Sequence, residues 1–485
     1  MSTLKRFFQD TVIYGIAAVL PRVINFLLVR VHTDALAADK YAVNSDFYIW
    51  AALFAVFLTF GMETAFFRFY NTEKKKDKLI STTFVSMLFS ATVLIVVISV
   101  FFDFFEQFLD FEHNPLRLKL FVGILALDTI SMVPFAYLRV TNRPIRYAAI
   151  KLVNVGVIVV VNLLFLRYIP YFLNKGIELP LVVKNIYNGT ATVNFIFIAN
   201  ILGSAISFLL LLPYLMKFKF QFDVQLLKKI LAYSWPIMVA GLAYVINENL
   251  DKFLIKRIVG EAEMGIYSAC YKLAIFMNLY IMAFRLGAEP FFFNQSSKKN
   301  AKHTYALIMN YFIIIGSLVF IGIVGFIDIL KYFINPNYWA DLAIVPIILL
   351  ANLFLGIYYN LAIWYKLTDK TRYGMYFSII GALLTIVLNV WLIPIIGIMA
   401  AAYATLIAYG CMTVVSYLFG KKHYPIQYNL QKIAVYLIAS VVISWISFNY
   451  FRGNFWVSTL LITCFAAIIY VKEKKELTAI LKRRR

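Results

Sequence analysis

Apolar runs of about twenty residues, broken only by short charged connections, recur along the whole chain. As an α-helix, a run of that length crosses the roughly 30 Å hydrocarbon core of a bilayer. Composition points the same way: 62% of the residues are hydrophobic and 14% charged. Soluble globular chains hold about 45–50% apolar and about 25% charged residues. The expected fold class is therefore an all-α polytopic membrane protein. Fourteen spans fit the pattern, the first at residues 11–31, the seventh at 230–250 and the last at 455–471. Pro21–Arg22 interrupts the first run and no small-residue cleavage site follows, so no cleavable leader is expected.

The net charge of +22 raises nucleic acid as a partner. The placement of the basic residues excludes it, because they gather on alternate connections instead of lining a groove. Lys74–Lys76, Arg139–Arg146, Lys298–Lys302 and the C-terminal arginines all fall on one side. With the N-terminus inside, about 31 Lys/Arg lie on the cytoplasmic side, about 12 outside and about 3 within spans. Both termini are thus expected in the cytoplasm. The connection between spans 3 and 4 is acidic and falls outside.

Chemistry of the enzymatic kind finds little support. The longest connection, residues 167–190, carries no Gly-rich phosphate cradle, and no G-x-x-x-x-G-K-[ST] occurs anywhere. There is no Ser/His/Asp or Cys/His constellation. His32, His113, His303 and His423 fall at span ends or in connections and read as exposed interfacial residues. Cys270, Cys411 and Cys464 lie inside apolar runs and read as packing residues, with neither zinc spacing nor a disulfide framework. No cofactor is expected, apart from a coupling ion, Na+ or H+.

One stretch occurs twice. Gly61-Met-Glu-Thr-Ala-Phe-Phe and Gly287-Ala-Glu-Pro-Phe-Phe-Phe are 226 residues apart, as are Tyr41 and Tyr267, and Val23-Ile-Asn25 recurs as Val245-Ile-Asn247. Each copy ends an apolar span, bears a carboxylate (Glu63, Glu289) and runs into lysines. Two similar halves are typical of transporters. The expected organisation is a six-helix lobe over 1–220, a second over 221–425, and two further helices with a basic tail over 426–485.

Charges inside spans are the informative residues, since each costs roughly 2.5–3.5 kcal/mol at the bilayer centre. Arg22 falls in the middle of span 1 and Asp128 in the middle of span 4. Lys272 and Arg285 lie in span 8, and Glu248 near the outer end of span 7. Asn25, Asn154, Asn162, Asn247, Asn352 and Asn389 add uncharged polarity, which interhelical hydrogen bonds would satisfy. Arg22 and Lys272 make a candidate anion site, with Arg285, Asn25 and Asn247 beside it.

Fourteen spans in two halves with a trailing pair resemble the polysaccharide-flippase (Wzx-type) members of the superfamily that also holds multidrug extruders and lipid II flippases. Leu20-Pro-Arg-Val-Ile-Asn-Phe-Leu-Leu-Val-Arg30, Gly61-Met-Glu-Thr-Ala-Phe-Phe-Arg68, Asn249-Leu-Asp-Lys-Phe-Leu-Ile-Lys256 and Gly265-Ile-Tyr-Ser-Ala-Cys-Tyr-Lys272 carry the resemblance. It implies two lobes packed as a V, with helices 1, 2, 7 and 8 lining a central cavity. It implies a bacterial inner-membrane transporter that turns an undecaprenyl-pyrophosphate-linked oligosaccharide to the periplasmic leaflet for cell-surface polysaccharide such as lipopolysaccharide. Arg22 corresponds to a cavity cation of that family. The implied partners are the lipid-linked oligosaccharide, membrane lipids and a polysaccharide polymerase or glycosyltransferases. An ion-coupled drug or metabolite extruder is the alternative, although no acidic residue lies between Asp10 and Asp34, where such extruders carry one. A membrane-embedded polymerase or an envelope scaffold is the alternative of another class. Glu63, Arg68, Asp128, Glu248, Asp251 and Glu289 are the candidates for gating or ion coupling, with Glu63 expected to exchange a local partner for Arg285 as the inner mouth closes.

Overall fold

The computed structural model describes residue 20 and residues 23–482, apart from 112–113, 142, 188–191, 217–220, 297–298, 369 and 371. The sequence expectation of an all-α membrane protein holds. The described residues contain twelve helices long and apolar enough to cross a membrane, plus one bent pair that makes a thirteenth. Most of the expected first span lies outside the described residues; its tail is helix α1, residues 23–35.

The chain divides into two compact units, Met1–Ala269 and Cys270–Arg485. In the first, α2 (Ala38–Thr59), α3 (Met62–Thr72), α4 (Lys76–Val100), α5 (Phe102–Leu109), α6 (Pro115–Val140) and α7 (Pro144–Asn174) are followed by the short α8 (Leu181–Ile186). Then come α9 (Asn194–Leu215), α10 (Val224–Ile258) and the start of α11 (Glu261–Lys272). Helix α6 packs against α4 and α9, α9 against α7, and α10 against α2 and α3. Stacked rings fill the core: Phe47 lies 4.2 Å from Phe197 and meets Phe121 edge-on at 5.4 Å. A second core around Phe66, Met87, Val133, Leu215 and Ile230 ties α3, α4, α6, α9 and α10 together.

The second unit holds α12 (Ile275–Gln295), α13 (Ala301–Gly325), α14 (Ile344–Leu361), α15 (Arg372–Ile396), α16 (Ile398–His423), α17 (Leu430–Tyr450) and α18 (Phe455–Lys482). Helix α16 packs on α14 and α15, and α13 on α17. Trp364 anchors one core of this unit, stacked on His423 at 5.4 Å and packed against Phe377 and Tyr373.

Helix starts follow local chemistry. Asn114 Oδ1 accepts from Leu116 N–H, with Pro115 supplying the preset φ of a first turn. Asp223 Oδ1 accepts from Gln225 and Leu226 N–H and so begins α10. The Asp223 carboxyl lies below the usual carboxylate range, first because Lys78 hydrogen-bonds it and then because of these N–H donors.

Several expected boundaries shift. Residues 167–174 are not loop: α7 runs on through a π-turn at Leu164–Tyr168. Span 7 does not end at 250; α10 is 35 residues long and carries Asp251 and Lys256 inside the helix. Its apolar pattern weakens there, but its backbone hydrogen bonds do not need an apolar pattern.

Candidate functional site

The repeated stretch does not fold the same way twice. Phe60 and Gly61 both take the left-handed conformation, with φ of 51° and 68°, and break the second span into α2 and α3. A Cβ on Gly61 would meet Ser234 O at 2.9 Å and Ile237 Cβ at 3.0 Å, so the break lets α10 approach closely. Gly287, its counterpart, sits within the continuous helix α12. The bend of span 8 comes earlier, where α11 and α12 meet at 46° around Leu273–Ala274.

Glu63 opens α3, and its Oε1 accepts from Arg139 at the end of α6, 2.7 Å away. Its neighbour in sequence, Arg68, lies instead over the Tyr233 ring at 4.3 Å. The cation nearest in the chain is thus not the ionic partner, because the α3 geometry turns Glu63 toward α6. The Glu289 side chain lies outside the described residues, as does Arg22. Asn25 is exposed on α1.

Asp128 sits in the middle of α6, and Ser204 Oγ of α9 donates to its Oδ1 at 2.7 Å. Its side chain is exposed. The sequence reading named Asp128 without its neighbour Lys151 on α7. Lys151 lies over Phe135 at 4.2 Å and within electrostatic reach of Asp128 and Glu63. Tyr48 and Asn200, which share a hydrogen bond of 3.1 Å, continue the polar row, and Tyr48 feels the charge of Asp128. Asn154 donates to Ser207 Oγ at 3.0 Å, the interhelical bond expected of it. Unit 1 therefore carries a row of charges in which Arg139 and Lys151 stand between Glu63 and Asp128.

At the far end of α10 a second polar group is buried. Asp251 accepts from Tyr267 Oη at 2.7 Å and from Lys252 Nζ at 3.1 Å, while Lys252 also donates to the Glu248 carbonyl at 2.7 Å. Asn247 is buried beside them. One turn on, Lys256 Nζ contacts Asp46 Oδ2 at 2.8 Å, Asp110 Oδ2 at 3.2 Å and Glu261 Oε1 at 3.4 Å. Among the candidate site residues read from the sequence, Asp46, Asp110 and Lys256 are absent. The available signal was the acidic connection after span 3 set against a lysine at the end of span 7.

In the second unit, Lys272 is exposed at the end of α11, beside the bend. The Arg285 guanidinium stands 4.0 Å over the Tyr359 ring. His32 is not an exposed interfacial residue: it is buried in unit 1, with Nε2 2.9 Å from Asn162 Oδ1, where α1 meets α7 just before its π-turn. Asn389 Nδ2 bonds back to Thr385 O of its own helix rather than across helices. Among the described residues no group of three or more His, Cys, Asp or Glu is arranged to hold a metal ion.

The family described as "Polysaccharide biosynthesis protein" matches residues 7–294, more than half of the chain. The chain belongs to that family. The MatE family matches residues 236–391. No curated protein sequence matches. Among solved structures, the lipid II flippase MurJ in an inward closed conformation is 16% identical with a TM-score of 0.74, covering 95% of this chain and 99% of its own. An inward-facing multidrug resistance MATE transporter of the MOP superfamily is 12% identical with a TM-score of 0.63, covering 87% and 98%. A MOP superfamily transporter from Pyrococcus furiosus, described as having a binding pocket of reversed polarity, is 13% identical with a TM-score of 0.55, covering 89% and 95%. The chain thus shares the fold of these solved structures and crosses the membrane many times.

Proposed function

We propose that the protein turns an undecaprenyl-pyrophosphate-linked oligosaccharide from the cytoplasmic to the periplasmic leaflet, by alternating access and without enzymatic chemistry. The observation that carries this reading is the family match over residues 7–294. Cations held at membrane depth support it: Lys151 over Phe135 in one unit and Arg285 over Tyr359 in the other. A pyrophosphate head crossing an apolar slab needs such partners, whereas the lipid tail can remain in the bilayer. Arg22 in span 1 is a further cation proposed to meet the anion. Both termini face the cytoplasm in this reading, and the neighbours of the protein are a polymerase or glycosyltransferases acting on the same lipid.

Reconstitution into liposomes with fluorescent lipid-linked oligosaccharide is the test. Wild type moves the label between leaflets, Arg22→Ala and Lys151→Met do not, and both variants reach the membrane in normal amount. Lys272→Arg retains partial transport, because phosphate accepts either cation with different geometry. Normal transport by Arg22→Ala and Lys151→Met would refute the anion site. The MatE match favours a second reading, ion-coupled extrusion of a drug or metabolite. Transport of cationic dyes, with no movement of the lipid-linked glycan, would decide for it.

A further inference from the structure

Helix α10 belongs to two groupings at once. Its Val245-Ile-Asn247 repeats Val23-Ile-Asn25, which makes it the opening helix of the second half by sequence. In the structure it is part of the first compact unit. Lys256 is the tie that holds its far end there. The ammonium, on a side chain only 3% exposed, gathers carboxylates from α2 (Asp46), from the connection after α5 (Asp110) and from the first residue of α11 (Glu261). It also donates to the Asp110 carbonyl at 3.3 Å.

The cluster is unbalanced, with three carboxylates on one ammonium. The charged groups facing Asp46 are Lys256 and Arg257 from α10 and Asp110 from the connection. Asp251, Lys252 and Tyr267 form a separate buried group one turn earlier. Asp46 itself is buried. Its Oδ2 takes the ion pair, whereas its Oδ1, also buried, has no hydrogen-bond partner among the described residues. A buried acceptor left unsatisfied is costly, and a carboxylate can change that state by taking up a proton.

We propose that Asp46 is a proton-binding site whose protonation releases α10 from α2. The ligand is a proton and not a second cation, because the Lys256 ammonium already occupies the point on which the carboxylates converge. A protonated Asp46 is no longer the anion that pairs with Lys256. The lysine remains satisfied by Asp110 and Glu261, both partly exposed, so only the tie to α2 is lost. Proton uptake on this face would thereby decide which half α10 moves with, and the bend at Leu273–Ala274 is the place where span 8 can give.

The proposal supposes two conformations, as the transport reading does, but it does not depend on the cargo, and its test contains none. Spin labels at Lys40→Cys on α2 and Val259→Cys at the end of α10 report the separation of the two helices, with Cys411→Ala and Cys464→Ala in the background. Cys270 is buried and stays in place. In the full chain in liposomes, acidification from alkaline to mildly acidic pH raises the population of a longer distance by about fivefold or more. Asp46→Asn shows that longer distance at every pH. Glu261→Gln, which leaves Asp46 in place, keeps the pH response. A wild-type distance that ignores pH overturns the proposal. So does an Asp46→Asn protein that still responds to pH as wild type does. If Asp46→Asn does not fold, the pH response must still appear in both wild type and Glu261→Gln, and its absence from either is the overturning result.

Discussion

Gly265 shows how much one missing side chain decides. It faces the Ala38 carbonyl at the start of α2 so closely that a Cβ there would lie 2.7 Å from the Ala38 carbonyl carbon. Only backbone can give way, and backbone at a helix start gives way poorly. Gly265→Ala is therefore expected to destabilise the protein by about 1–3 kcal/mol, as overpacking does, seen as a lower melting temperature in detergent. Gly322, inside α13, is the control, because a Cβ there meets nothing within 4 Å. Gly322→Ala should be neutral or stabilise by up to ~1 kcal/mol, since it only raises helix propensity. Equal losses for the two substitutions would refute this account of the α2–α11 approach. Tyr267, two residues on from Gly265, is fully buried and donates to Asp251, and its counterpart Tyr41 at the start of α2 is also buried.

At the scale of elements, Asp223 starts α10 and joins it to the first turn of α4 through Lys78. The folded state holds this carboxyl below its ordinary value of 3.8. A depressed pKa contributes stability above that ordinary value, and the contribution is lost as pH falls through the lower folded value. Asp223→Asn keeps an N-cap acceptor but cannot titrate. Its melting temperature should fall less than that of wild type on acidification below 3.8, and the two curves should converge at the acid end. Parallel curves would show that Asp223 contributes nothing to acid sensitivity. The element level is also where the sequence was most legible. Twenty-residue apolar runs have one solution in a bilayer, so spans and fold class could be read directly. What could not be read were the places where backbone departs from the run. The left-handed pair Phe60–Gly61 sits inside an apolar stretch, and the helix whose close approach it permits, α10, comes from far along the chain. Partners were hidden for the same reason. Glu63 meets Arg139 and His32 meets Asn162 across 76 and 130 residues, and a single sequence carries no record of such pairings. Asp128 was visible as a charge out of place, whereas Lys151 passed as one more basic residue near a span start.

For the molecule as a whole, the question is whether α10 can leave α2. Alternating access through two similar halves requires the opening helix of the second half to move with that half in one of its states. The structure shows the other allegiance, with Lys256 buried among carboxylates and Gly265 pressed on Ala38. If transport needs both, a tether across this end must stop it. A pore open to both sides would be indifferent to the tether. The pair Lys40→Cys and Val259→Cys can be bridged with bis-thiol reagents of graded length, in a background of Cys411→Ala and Cys464→Ala. The shortest reagent that bridges the pair should abolish the proposed transport of lipid-linked glycan in liposomes, and a long flexible one should leave most of it. Cleaving a disulfide-containing short tether with reductant should restore transport, which separates restraint from damage. The length series matters because the state change is an equilibrium. Favouring the arrangement with α2 and α10 together by about 1.4 kcal/mol already reduces the other tenfold, so loss of transport should grade with tether length instead of switching at once. Undiminished transport under the shortest tether would mean that α2 and α10 stay together throughout the cycle, and that the cargo crosses by a route that does not open at this end.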